Sequence, residues 1–81
     1  MVHQVRNTIN YVPYKNSKEI VADVKRIYKA TTLKEAEQSL MDFSNKWREK
    51  YPRVVNSWND NWHKLSTYFD YPAEIRKMIY T

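Results

Sequence analysis

The basic side chains are the first candidates for functional residues in this sequence. Four cations surround a proline-marked break near residues 51–52, with a single acid among them: Lys46, Arg48, Lys50 and Arg53. Such a cluster could contact DNA phosphates without reading a base sequence, or it could form a solvated face, and both interpretations stay open. A second cluster, open to the same two interpretations, surrounds residues 30–32: Lys25, Arg26, Lys29 and Lys34.

The three tryptophans, Trp47, Trp58 and Trp62, lie in the same region. The last two are four residues apart, a spacing that places them on one face of a helix. Large aromatic side chains supply much of the buried area that a small core needs. An exposed indole can instead stack on a nucleic-acid base. We expect Trp47 and Trp58 to lie in the core, and we keep Trp58 and Trp62 as candidates for base stacking.

Histidines and acids give no pattern typical of a catalytic or metal site. His63 has no second histidine at metal-ligand spacing, and the sequence contains no cysteine for a disulfide or a thiolate site. Four acids are expected to cap or solvate helices: Asp23, Asp42, Asp60 and Glu74. The sequence therefore predicts no metal site within this chain.

Length and composition favour one small helical domain over residues 1–81. The sequence has no glycine, which argues against tight hairpins and phosphate-cradling loops. Its net charge of +5 favours an anionic partner such as nucleic acid, but many domains with such a charge bind no DNA, and both interpretations stay open. No apolar run approaches the roughly 18 residues of a membrane span, and no signal-peptide pattern is present.

Apolar periodicity predicts an all-α fold, a small irregular bundle of about five helices. The stripes place these helices at residues 2–12, from an Asn16 cap to about Lys29, from a Thr32 cap to the Tyr51-Pro52 break, from Pro52 to about Tyr68, and from Pro72 to Tyr80. Both caps have a glutamate three residues later, as in a capping box. The two longest stripes predict one shared core: Leu40, Phe43, Val55, Trp58, Trp62 and Leu65.

The order of residues along the chain resembles a known family. From Lys46 the sequence reads KW-x-x-KYP-x-x-x-x-SW-x-x-x-W-x-x-L and then FDYP-x-EIR-x-x-IYT, while the chain opens with VHQVRNTINYV. From Val2 to Thr81 this is similar to the Mutator-type transposases, in their bacterial insertion-sequence branch. The resemblance implies the helical insertion that interrupts a ribonuclease-H-like catalytic domain, between its second and third catalytic acids.

The resemblance also implies what the parent protein does. Such a DDE transposase cuts and joins DNA at mobile-element ends, with three acids holding divalent metal, expected to be Mg²⁺. The two aspartates of that triad would precede this segment and the glutamate would follow its IYT ending. We therefore expect no catalytic residue here and no activity from this chain alone. By the same resemblance His3, followed by Arg6 and Asn7, matches the histidine end of a Cys-x-x-His motif. The cysteine would fall one position before Met1, so only half of the motif is present in this sequence.

These observations lead to an expected function and to an alternative. We expect part of a transposase that supports DNA binding and active-site assembly in the bacterial cytoplasm, with Arg6 as a further DNA contact and no membrane partner. Its expected partners are DNA at element ends, the remainder of the transposase and, by self-association, a second copy. The alternative is a free-standing helical module that binds a protein through an apolar groove.

The sequence also predicts how the two ends of the chain behave. The stripes Val2-Val5-Ile9 and Ile75-Met78-Ile79 would partly face the catalytic core of a whole transposase. Without that core we expect both ends to fray or to pair with each other or a second copy, while residues 17–69 stay ordered.

Overall fold

The computed structural model describes residues 1–80, with every side chain among them except those of Lys77, Ile79 and Tyr80. Across this range the chain is helical and has no β-strand, so the predicted all-α fold is confirmed. The elements are α1 (Val2–Tyr11), α2 (Tyr14–Tyr28), α3 (Leu33–Trp47), α4 (Pro52–Asp60), α5 (Trp62–Leu65), a 3₁₀ helix (Ser66–Asp70) and α6 (Ala73–Tyr80).

The start of α3 follows the predicted capping chemistry, but the start of α2 does not. Thr32 caps α3, because its hydroxyl accepts a hydrogen bond from the Glu35 backbone N–H at 3.2 Å. Helix α2 begins two residues before the predicted Asn16 cap, directly after Pro13. The Asn16 side chain instead donates to the Tyr51 hydroxyl, so it joins the first turn of α2 to the connection between α3 and α4.

The predicted fourth helix, from Pro52 to about Tyr68, is not continuous. It ends at Asp60, and Asn61 takes φ −94° and ψ 0° before the short α5 and the 3₁₀ helix. The side-chain amides of Asn59 and Asn61 each donate to a backbone carbonyl four residues earlier, at 2.9 Å. Such bonds compete with regular helix geometry, and Asn and Asp are weak helix formers. The break is therefore a local effect of the Asn-Asp-Asn run.

The core lies where α2, α3 and α4 meet, with α1 packed across α2 and α4. Phe43 and Trp58 meet edge to face, with ring centroids 5.9 Å apart. Five of the six predicted core residues are buried: Leu40, Phe43, Val55, Trp58 and Leu65. The sixth, Trp62, is only partly buried and packs against the edge of the core, because the break at Asn61 separates it from the face of Trp58.

Helix α1 packs against α2 and α4, which corrects the expectation that this end frays or pairs with the other end or a second copy. Val5 is buried, and the Trp58 indole N–H donates to the Thr8 hydroxyl at 2.7 Å. Gln4 Nε2 also donates to Ser57 Oγ at 2.9 Å. Two buried polar side chains thus attach α1 to α4, a use of Gln and Thr that an apolar stripe does not predict.

Helix α6 is more peripheral and packs mainly against the 3₁₀ helix. Ile75 and Met78 of its apolar stripe are exposed, at 41% and 74%. The third member of that predicted stripe, Ile79, lies outside the described side chains. Arg76 attaches the helix to the connection between α2 and α3, donating to the Ala30 carbonyl at 2.9 Å and the Thr31 carbonyl at 3.1 Å.

Candidate nucleic-acid interface

The corner between α3 and α4 presents three exposed cations, Arg48, Lys50 and Arg53, which we call the basic junction. Helix α3 ends at Trp47, a turn follows, and Pro52 begins α4 at a position where the missing N–H costs no hydrogen bond. Among the residues that the structure describes, no carboxylate forms an ion pair with any of these three cations. Their charges therefore face solvent on a corner held by two packed helices.

Lys46, the fourth cation predicted for this cluster, has carboxylate partners. Its Nζ lies 3.0 Å from Glu19 Oε1 and 3.0 Å from Asp23 Oδ2, and 5.3 Å from the centre of the Trp47 ring. The hydrogen bonds that Lys46 donates to Glu19 and Asp23 raise the pKa of its ammonium group. The Lys46 ammonium thus forms ion pairs within the chain, in contrast to the three cations of the basic junction.

Asp23 is a structural anchor that sequence reasoning missed. The expectation was a capping or solvated acid, but the residue is 8% exposed and accepts a hydrogen bond from the Trp47 indole N–H at 2.8 Å. Its other oxygen lies 3.6 Å from Arg26. A signal was present in the sequence, since Asp23 follows Ile20 by three residues and precedes Ile27 by four on the buried stripe of α2.

The second basic cluster is divided in the same way. Lys25, Lys29 and Lys34 are exposed around the connection between α2 and α3. Arg26, in contrast, forms its ion pair with Asp23 across one turn of α2.

The motif residues carried by α1 share an outward face. His3, Arg6 and Asn7 are exposed and lie three and four residues apart, while Gln4 and Thr8 turn toward α4. His3 also lines a shallow groove of about 660 Å³, formed with α5 and the residues that follow it. The His3 imidazole therefore faces solvent rather than the core.

The tryptophans divide between the core and the surface. Trp47 is buried, as predicted, and Trp58 is 0% exposed with its indole N–H bonded to Thr8. This burial corrects the expectation that Trp58 could stack on a base, because no face of its ring is open. Trp62 is partly exposed beside Phe69, with ring centroids 6.3 Å apart, so it remains a candidate.

Two absences among the described residues concern metal ligands and membrane spans. Among them there is no group of three or more His, Asp or Glu side chains arranged to hold a metal ion. None of the helices that the structure describes is long and apolar enough to cross a membrane.

Comparison with known proteins identifies the family of this chain. The model of the family described as "Transposase, Mutator family" matches residues 1–81, and the chain belongs to that family. It is 33% identical over 82 residues to a probable transposase for insertion sequence element ISRM3-like of Sinorhizobium fredii, covering 100% of this chain and 20% of that protein.

Two further relatives carry similar descriptions. The transposase for insertion sequence element ISRM3 of Rhizobium meliloti is 32% identical over 82 residues, with 100% of this chain and 20% of the relative covered. The transposase for insertion sequence element IS905 of Lactococcus lactis is 32% identical over 81 residues, with the same coverage. The chain thus spans about a fifth of the length of these relatives, and the resemblance seen in the sequence is confirmed.

Proposed function

We propose that this chain is the DNA-contacting helical segment of an insertion-sequence transposase, and that the basic junction binds the phosphate backbone of duplex DNA. The observation that carries the proposal is the exposure of Arg48, Lys50 and Arg53. No carboxylate of the described residues forms an ion pair with any of them. Exposed cations without internal partners can release counterions from DNA, which is the main source of sequence-independent affinity.

The position of the basic junction supports this role. Trp47, the last residue of α3, is buried and bonded to Asp23, while Val54 and Val55 in the first turn of α4 are buried. The backbone on both sides of the three cations is therefore held by the core. A rigid cationic corner loses little conformational freedom on binding, so more of its electrostatic attraction remains as affinity.

Active-site assembly is the second part of the proposal, and α1 is the element suited to it. His3, Arg6 and Asn7 lie on its exposed face, while Gln4 and Thr8 fix the helix to α4. In the whole transposase that face would meet the catalytic domain. By resemblance to the family, the divalent metal, expected to be Mg²⁺, would be held by the three acids of the catalytic domain. Family membership favours this proposal over a free-standing interaction module.

Titration of a labelled duplex by fluorescence anisotropy tests the phosphate contact. The double variant Arg48→Glu/Lys50→Glu should weaken binding by about tenfold or more. Lys15→Glu/Lys18→Glu is the matched control, since these lysines are exposed on α2 and the change in net charge is identical.

The control should change affinity far less, and two duplexes of unrelated sequence should bind equally well. An equal loss from both variants would mean that only net charge matters and would contradict a specific role for the basic junction. Unchanged affinity in Arg48→Glu/Lys50→Glu would remove the junction from DNA binding altogether.

A further inference from the structure

We propose that the groove between α1 and α4 binds one unpaired nucleotide of a nucleic-acid strand whose phosphates lie on the basic junction. The groove encloses about 280 Å³, and its walls include Asn7 and Tyr11 from α1 and Arg53 from α4. This volume is just below the range of pockets that hold drug-sized ligands, so it suits a group as small as one base. The inference rests on the proposed DNA contact and names a second kind of nucleic-acid contact beside it.

The floor of the groove is a rigid polar seam. The Trp58 indole N–H donates to the Thr8 hydroxyl, and Thr8 in turn donates to the Gln4 carbonyl at 2.9 Å. Gln4 Nε2 donates to Ser57 Oγ across the seam. These bonds fix the separation of α1 and α4, so the groove is preformed and a ligand would not have to open it.

The walls offer three kinds of contact that a nucleotide requires. Tyr11 is 70% exposed, and its ring provides a face on which a base can stack. Asn7 lies one turn earlier on the same face of α1, and its amide can both donate to and accept from a base edge. The guanidinium of Arg53 can grip a phosphate through two parallel hydrogen bonds.

These wall groups are available for a ligand. Among the described residues neither Asn7 nor Arg53 has a side-chain hydrogen bond or ion pair within the chain. Arg53 belongs both to the groove and to the basic junction, so a strand bound at the junction would pass the mouth of the groove.

The base must be unpaired because only an unpaired base has a free face on which Tyr11 can stack. Inside a duplex both faces of a base are covered by its neighbours, and a protein aromatic ring reaches such a face only after the base is extruded or left single-stranded. Trp58 cannot serve as the platform because it is 0% exposed. Tyr11 is the aromatic residue that lines this groove beside a free cation.

The test compares paired and unpaired probes with the 81-residue chain. Two labelled duplexes are identical except that one carries a 2-aminopurine opposite thymine and the other carries it as a single-nucleotide bulge. Tyr11→Ala should weaken binding to the bulged duplex about fivefold or more and abolish quenching of the 2-aminopurine, while binding to the paired duplex stays nearly constant.

Two further variants separate stacking from structural effects. Tyr14→Ala removes a tyrosine that is 95% exposed and does not line the groove, so it should behave like the wild type. Tyr11→Phe keeps the ring and should retain the preference for the bulge. Circular dichroism melting of each variant would check that the helices stay intact.

Several results would overturn the inference. If Tyr11→Ala and Tyr14→Ala bound the bulged duplex equally well, or if Tyr11→Ala lost the same affinity on both probes, the groove would not hold an unpaired base. If the basic junction variants still lost duplex affinity, only the groove would be rejected. A bulge preference that depends on Tyr11, with junction variants unaffected, would instead reject the proposed phosphate contact.

Discussion

Replacing Asp23 with alanine should strongly destabilise the fold. The carboxylate accepts the Trp47 indole N–H at 2.8 Å and pairs with Lys46 at 3.0 Å, at a site where Asp23 is only 8% exposed. The alanine variant therefore leaves a buried indole N–H without its acceptor and a lysine with one carboxylate instead of two. Both losses occur at the contact between α2 and α3, the main helix pair of the core.

The expected cost follows mainly from these two losses, because the Arg26 side chain that also pairs with Asp23 is 75% exposed and its ion pair adds little. A hydrogen bond to a charged acceptor contributes about 1.5–3 kcal/mol. The Lys46 pair adds at most about 1 kcal/mol, because the Lys46 side chain is 45% exposed and solvent screens the interaction. We expect a total of roughly 2–4 kcal/mol, a large share of the total stability of a chain of this size. The melting temperature should fall by roughly 10–30 °C.

Thermal melting followed by circular dichroism measures this change, with Asp42→Ala as the control. Asp42 is exposed on α3 and accepts only a bond from Gln38 at 3.2 Å, so its loss should cost no more than about 0.5 kcal/mol. If Asp23→Ala melted within a few degrees of Asp42→Ala, Asp23 would not anchor the two helices and the reasoning would be wrong.

The same anchor predicts how stability responds to pH. Hydrogen bonds to Glu19 and Asp23 raise the pKa of Lys46 above its usual 10.5. A raised pKa means that the stabilisation is fully present below pH 10.5 and is lost as the pH rises through the higher value in the folded state. The difference in stability between the wild type and Lys46→Met should therefore be constant near neutral pH and should shrink under strongly alkaline conditions.

The remaining predictions concern the core and the two ends. Leu40→Ala should cost about 2–5 kcal/mol, whereas Met41→Ala, next to it and 58% exposed, should cost no more than about 0.5 kcal/mol in chemical denaturation; equal costs would mean that the α3 stripe is not buried. Thr8→Val should cost about 1–3 kcal/mol because it leaves the buried Trp58 N–H unpaired. Thr8→Ser keeps the hydroxyl, so normal stability in that variant would show that the loss in Thr8→Val comes from the missing hydroxyl. Arg76→Ala should speed hydrogen exchange of the α6 amides with little change in global melting, and unchanged exchange there would show that α6 does not depend on Arg76.

Local sequence signals predicted the parts of the fold that depend on local chemistry. The Thr32 cap and the inward positions Leu40 and Phe43 are correct, because capping and helical periodicity act within one or two turns. The break at Asn61 was missed because the periodicity of Trp58, Trp62 and Leu65 outweighed the weak helix propensity of the Asn-Asp-Asn run. Periodicity describes where apolar residues fall, and it does not register side chains that bond to the backbone.

The candidate site was harder to predict because its character depends on tertiary partners. The sequence marks Lys46 and Arg48 as equivalent cations, yet only Lys46 meets carboxylates, both of which lie on α2. The groove between α1 and α4 depends likewise on Gln4 and Thr8 meeting residues about fifty positions away. Such pairings have no local signature, so a single sequence does not reveal them.

Salt dependence of duplex binding tests the central proposal most directly. If Arg48, Lys50 and Arg53 each neutralise one phosphate, the logarithm of the binding constant should fall with the logarithm of salt concentration with a slope near about −2.7, at roughly 0.9 per contact. Arg48→Ala/Lys50→Ala should reduce the magnitude of that slope by about 1.8, whereas Lys15→Ala/Lys18→Ala should leave it nearly unchanged. A wild-type slope near zero, or one that the junction variant does not alter, would contradict the proposal that the basic junction binds DNA.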